Sequence, residues 1–363
     1  MLIQNKLYFA SFILLSALFF TNCKNESGHK PNIEIEKVKD SKKSTSTNSN
    51  PKTAEMISKV KTAVSKINPD NITYYLNESR AQLLESKMAN LDGIEKSNMQ
   101  IQYASELLNA GYTDQSITSF ESVIKDLERA DIQNKEAILY KIKKQLAIAY
   151  MRKGEQENCL QNHTSASCII PIAKEGQHQL REGSEKTIQL LNELLKEKPN
   201  DKECQYLLNI AHMTLGQYPN KVDKPFAINA RYFETSPFPK FTDIGTELGV
   251  GVSELSGGTC IDDFNNDGYL DIIASSWGFD DQIQYFENNK NGGFVNKTKE
   301  AGLSGVTGGL NLRHADYDND GNLDFIILRG AWFFQEGKIP NSLMRNNGDG
   351  TFTDETISAG LYS

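Results

Sequence analysis

The sequence predicts a multidomain α + β protein, a helical-repeat module followed by β-sheet repeats. Three observations lead there. Charge is segregated within the net −8: from Phe241 onward there are 19 Asp and Glu against 7 Lys and Arg, whereas the first 240 residues hold 28 acids and 32 bases. Glycine divides the same way, with 19 of 26 after Lys240. Before residue 218 the apolar residues recur at the helical period. After 241 they form short β-branched runs between turn residues, and the acidic nonapeptides DFNNDGYLD (263–271) and DYDNDGNLD (316–324) nearly repeat each other. A chain of 363 residues has room for two or three domains.

The N-terminus reads as an export signal, residues 1–22. Lys6 supplies the positive end, and Leu7–Phe20 is an apolar run of 14 residues, short of the roughly 20 a spanning helix needs. The run ends FTNC, so Cys23 resembles the acylated cysteine of a bacterial lipobox, although Asn22 and Phe20 depart from the usual small residue and Leu. That resemblance implies a lipoprotein of the bacterial outer membrane or cell surface, held to the membrane by its lipid alone. The other reading, an ordinary cleaved signal, makes the protein periplasmic or secreted. Lys24-Asn25-Glu26 resembles a surface-export tag. Residues 23–55, rich in Lys, Ser, Thr and Asn, offer too little apolar surface to offset ordering entropy, and read as a lipid-anchored disordered tether.

Residues 56–218 read as the helical domain. Ile117, Phe120, Ile124 and Leu127 form one apolar stripe after a Thr113-Asp114 start; Ile138, Ile142, Leu146 and Ala149 form a second; Ile188, Leu191 and Leu195 a third. YASELLNAG, LAIAYMRKG and LLNIAHMTLG are each expected to end a helix at glycine (Gly111, Gly154, Gly216), and Pro199 to follow one. The pattern resembles tetratricopeptide (TPR-like) helix pairs, though the glycines lie 43 and 62 residues apart rather than at a steady interval. A concave docking surface and a plain helical spacer are both open readings. Pro219, Pro225, Pro237 and Pro239 mark residues 219–240 as a linker.

In an exported chain Cys159 and Cys168, nine positions apart in an irregular insertion, are disulfide candidates. His163 between them raises a metal reading, but one His and two Cys leave a tetrahedral set incomplete. Cys204 and Cys260 are expected as buried free thiols.

Packed carboxylates repel, so the twin nonapeptides need compensation. Asp263, Asn265, Asp267 and Asp271 stand at positions 1, 3, 5 and 9 of the first, and Asp316, Asp318, Asp320 and Asp324 at those of the second. Glycine at position 6 lets the chain wrap an ion, and the position-7 carbonyls of Tyr269 and Asn322 can add a ligand. Hard cations such as Ca²⁺ seek six to eight such oxygens. Position 12 is Ala274 or Ile327 rather than Glu, which excludes an EF-hand. The runs IIAS and FIIL after the loops, with TCI and NLRHA before them, read as strands. Four carboxylates against three plus an amide lead us to expect tighter calcium binding at the second loop.

The loops belong to a longer repeat. FTDIGTELGV (241–250), FVNKTKEAGL (294–303) and FTDETISAGL (352–361) align, 53 and 58 residues apart, and the later two follow YFENNKNGG and LMRNNGDGT. Units of several short strands at this period suggest propeller blades, here 241–293, 294–351 and the start of a third, 352–363. These motifs resemble the FG-GAP/VCBS repeat family, whose members fold like the integrin-α β-propeller. Their wording is closest to the cartilage-acidic-protein (ASPIC/UnbV-like) branch. The resemblance implies calcium in the acidic loops and covers residues 241–363. Two blades are fewer than the four to eight that close a propeller, so a truncated, longer protein is expected; closure by assembly is the alternative.

Nothing here resembles a nucleophile with its base, and no glycine loop suits phosphate. Asp262 and His314 are the only acid–base candidates, with His314 expected on the strand entering the second loop. Trp277, Trp332, Phe333 and Phe334 are expected to pack between blades, with sugar stacking as the other reading. The acidic C-terminal half argues against nucleic acid as partner. The expectation is therefore a binding or scaffold module for a protein or glycan ligand, not an enzyme. A polysaccharide-acting enzyme on a propeller scaffold is the alternative.

Overall fold

A computed structural model describes residues 50–72, 75–162, 170–172, 174–233, 244–252 and 254–363. The segments read as signal and as tether up to residue 49, with Cys23, His163 and Cys168, lie outside the described residues. The chain is α + β and divides into two compact units. One is helical, within Ile72–Thr242. The other combines residues 50–71 with Asp243–Ser363.

The helical unit runs α2 (Asn77–Met88), α3 (Gly93–Asn109), α4 (Thr113–Arg129), α5 (Lys135–Asn162), α6 (Glu182–Glu197) and α7 (Lys202–Thr214), each packed on the next in chain order. The expected stripes face one core: Ile117, Phe120, Ile124 and Leu127 from α4, Ile142, Leu146 and Ala149 from α5, Leu191 and Leu195 from α6. Gly111 and Gly216 follow α3 and α7 with left-handed φ of 89° and 65°, as helix-ending glycines should. Gly154 does not end a helix. It lies inside α5 at a close crossing with α6, where a Cβ on Gly183 would stand 2.5 Å from Gly154 N and 2.6 Å from the Tyr150 carbonyl oxygen. Cys159 is disulfide-bonded. Cys204 and Cys260 are free and buried, and burial pushes both thiols up to about 11.

The β unit opens with α1 (Pro51–Val64), started by Asn50, whose side-chain oxygen accepts from the Lys52 and Thr53 amides. Two four-stranded antiparallel sheets follow in plain chain order. The first holds β1 (Ser256–Asp262), β2 (Asp271–Ser276), β3 (Gln284–Asn288) and β4 (Phe294–Asn296). The second holds β5 (Asn311–Ala315), β6 (Asp324–Leu328), β7 (Ser342–Asn346) and β8 (Phe352–Asp354). Glycines let the sheets approach: a Cβ on Gly257 would lie 2.5 Å from the carbonyl oxygens of Gly309 and Ser275. One apolar core joins them, centred on Phe264, Tyr285, Phe325 and Phe352, whose rings meet edge-on at 5.1–6.5 Å between centroids.

Two boundaries differ from the sequence reading. FVN (294–296) and FTD (352–354) are the fourth strands that finish each sheet, not the first strands of the next repeat, so residues 352–363 do not begin a third sheet. Their outward amides explain the position: Phe294 N donates to Leu248 O and Phe352 N to Ala301 O, so each fourth strand is held by the turn of the preceding xGL motif. The segment read as tether also ends early, because α1 begins at Pro51 and belongs to the β unit. Thr53 Oγ1 accepts from the Asp354 amide at 3.0 Å, Asn50 donates to Thr353 Oγ1 at 2.9 Å, and Lys52 pairs with Glu355 at 2.6 Å. Met56 and Val60 are buried there, and Ile57 packs against the core between the sheets. Among the described residues no helix is long and apolar enough to cross a membrane.

Candidate metal centre

Both acidic loops connect the first two strands of a sheet, and they have the same backbone. Asp262 pairs with Asp271 across β1–β2, and Ala315 with Asp324 across β5–β6. Between those anchors, position 4 is left-handed in each loop (Asn266 φ 57°, Asn319 φ 58°), and so is position 6 (Gly268 φ 87°, Gly321 φ 88°). Asn tolerates that region and Gly prefers it, which is why these residue types recur there.

Position 1 organises the curl. Asp263 accepts from the Asp267 and Gly268 amides at 2.9 and 2.7 Å, and Asp316 from the Asp320 and Gly321 amides at 3.1 and 2.9 Å. Position 9 is buried beneath. Asp271 accepts from the Asn288 amide, the Tyr285 hydroxyl and the Phe264 amide; Asp324 accepts from the Asn346 and Tyr317 amides at 2.7 and 3.0 Å. The recurrent NN of the repeat is thereby explained, since its first Asn bonds the position-9 carboxylate through its backbone. Its side chain braces the loop, donating to Leu270 O in one repeat and to Leu323 O and Phe264 O in the other. The loops also touch each other, through Asn266 Nδ2 donating to Asn322 Oδ1 at 3.0 Å.

The charge on these groups is not fully met. Burial raises the Asp324 carboxyl above the usual range, and the nearby Asp318 and Asp320 charges add to it; burial likewise raises Asp271, with Asp267 adding. Asp316, Asp318 and Asp324 bring one carboxylate oxygen each within 4.8 Å of one another. Three converging carboxylates, each with lone pairs beyond those given to amides, form a donor set that fits a hard cation. Asp320 stands apart from that group. The first loop has Asp263, Asp267 and Asp271 at the same positions, with the Asn265 amide at position 3, but among the described residues only the carboxylates of the second loop converge to within 4.8 Å. Tyr269 and Asn322, expected through their carbonyls, donate their amides to Asp267 and Asp320 at 2.9 Å.

Two basic residues were missed by the sequence reading. Lys290 reaches Asp267 at 3.1 Å, and Arg345 spans Asp318 and Asp320 at 2.7 and 2.8 Å. The Lys290 pair and the Tyr269 amide outweigh desolvation and lower the Asp267 carboxyl. The Asn322 amide, then Arg345, lower Asp320. His314 lies on β5 as expected, yet its Nε2 is 3.0 Å from Asp262 Oδ2 on β1, a cross-sheet pair that sequence spacing did not show. Trp277 meets Trp332 edge-on at 6.3 Å and Phe279 meets Phe333 at 5.0 Å, so three of the four singled-out aromatics contact rings between repeats. Phe334 is 81% exposed.

Residues 263–327 match the FG-GAP-like repeat family. The matched stretch begins at position 1 of the first loop and ends in β6, after the second. Comparison with curated proteins finds no match.

Proposed function

We propose that the β unit is a calcium-stabilised binding or scaffold module whose two sheets are propeller-type blades. In this reading Asp263, Asn265, Asp267 and Asp271 hold one ion, and Asp316, Asp318, Asp320 and Asp324 a second, with the Tyr269 and Asn322 carbonyls available. The ion neutralises an acidic turn and ties the first two strands of each sheet together. The observation that carries the reading is the pair of loops identical in register and in left-handed backbone, one of them drawing three carboxylates together. The six consecutively packed helices support a tetratricopeptide-like docking surface for a protein partner. The N-terminal signal and Cys23 support export and a lipid anchor at the bacterial surface.

Thermal melts of the full chain in excess calcium and in chelator test the metal. Calcium is expected to raise the melting temperature of the β unit, and Asp316→Ala to reduce that rise; equal melts would reject the proposal. A polysaccharide-acting enzyme is the second reading, favoured only by the Asp262–His314 pair. It requires that Asp262→Ala abolish glycan cleavage while calcium binding stays unchanged.

A further inference from the structure

We propose that Arg345 is a built-in counter-cation of the second loop, which calcium must displace, so that the second loop is the weaker site although it carries more carboxylates. The inference rests on the calcium reading above and concerns which loop fills first.

Arg345 stands on β7 with its guanidinium fork across positions 3 and 5: Nε donates to Asp318 Oδ2 and Nη2 to Asp320 Oδ2. A planar fork matched to two acceptors places charge and direction together, which a lysine does not do. Half of the four side-chain donors of this loop are thereby pointed at a protein cation. Asp318 is both one of the three converging carboxylates and a partner of the guanidinium, so an ion held by Asp316, Asp318 and Asp324 meets Arg345 directly.

The first repeat is built otherwise. Phe286 pairs with Ile272 and Met344 with Phe325, so the next residue along, Glu287, occupies in the first sheet the place Arg345 holds in the second. An acid there adds negative potential to the first loop; it is among the charges that raise the Tyr285 hydroxyl, itself bonded to Asp271. The cation that does reach the first loop, Lys290, comes from the β3–β4 hairpin, is half exposed, and meets position 5 alone. Glu355, just past the end of β8, feels the charge of this arginine and is itself held by Lys52 of α1. Calcium at the second loop therefore competes with an intramolecular ion pair, and at the first loop with a looser one.

The test is a calorimetric calcium titration of the full chain, with Asp263→Ala and Asp316→Ala assigning the events to loops. The wild type is expected to show a tighter event at the first loop and a weaker one at the second. Arg345→Gln is expected to strengthen the second event by roughly three- to thirtyfold, the range removal of two exposed ion pairs allows, while leaving the first in place. Arg345→Lys, which keeps the charge and loses the fork, should fall between, and guards against a Gln variant that folds poorly. Glu287→Arg should weaken the first event. Unchanged or weaker binding at the second loop of Arg345→Gln, with the first event intact, would overturn this inference and leave the calcium reading standing. Absence of binding in the folded wild type and in every variant would overturn both.

Discussion

Phe264 and Tyr317 hold position 2 of the two acidic loops, yet Phe264 is 2% exposed and Tyr317 43%. The fourth strands differ in the same manner: Val295 of β4 is 46% exposed, whereas every residue of β8 is buried. The backbones are equivalent, so the repeat itself is not the cause. Phe264 is covered by the second sheet, and among the described residues no further sheet covers Tyr317. The edge of β8 is closed by α1, which a sheet edge needs if it is not to pair with another chain. A repeat therefore sets where its strands and turns lie, while what packs against each copy decides which is buried.

The largest difference between the two repeats is expected at Phe264. Phe264→Ala is expected to cost the β unit about 3–5 kcal/mol and Tyr317→Ala under about 0.5. Chemical denaturation of both variants in calcium buffer checks this, and similar losses would mean the two faces are not distinct. Next comes the edge. Met56→Ala on α1 should cost about 2–4 kcal/mol and Val295→Ala on β4 close to nothing, measured in the same way; a neutral Met56→Ala would say that α1 is not part of the β unit.

In the helical unit one buried imidazole gives a pH-dependent counterpart. His178 donates its backbone amide to Thr214 O at 2.8 Å and sets Nδ1 3.0 Å from Ser184 Oγ, and burial lowers its imidazole from 6.5 to about 4. The unfolded chain thus binds the proton first. Stability from keeping this ring neutral is complete above about pH 6.5 and is lost as pH falls towards 4, about 1–2 kcal/mol once partial solvent access is allowed for. Melts of His178→Gln against wild type should converge across that window; a pH-independent difference would exclude the ring as the cause. The smallest expected effect tests equivalence itself. Gly268→Ala and Gly321→Ala, both at φ near 88° with open space around the Cβ, should each cost about 1 kcal/mol. Clearly unequal losses would show that the loops are not two copies of one device.

Much of this was legible in the sequence. The stripes of α4, α5 and α6 are periodic, and the loop positions follow from residue types that only a tight, left-handed acidic turn uses together. Gly154 was misread because a glycine that ends a helix and one that admits a neighbouring helix look alike in one dimension. The sheet boundaries were shifted because a periodic pattern has no phase of its own: FTD aligns across repeats whether it opens a blade or closes one. The docking of α1 on β8 joins residues about 300 positions apart and leaves no local mark. Arg345 did leave one, in LMRNN against YFENN, since aligning the two sets an arginine opposite a glutamate; the charge count within each loop overlooked a neighbour supplied by the next strand pair.

Calorimetric titration of the folded full chain with calcium, with circular dichroism followed alongside, decides whether the twin loops are structural calcium sites. Two binding events are expected, lost one at a time with Asp263→Ala and Asp316→Ala, together with a higher melting temperature for the β unit in calcium. A folded chain that takes up no calcium, with melts unchanged by chelator, would contradict this.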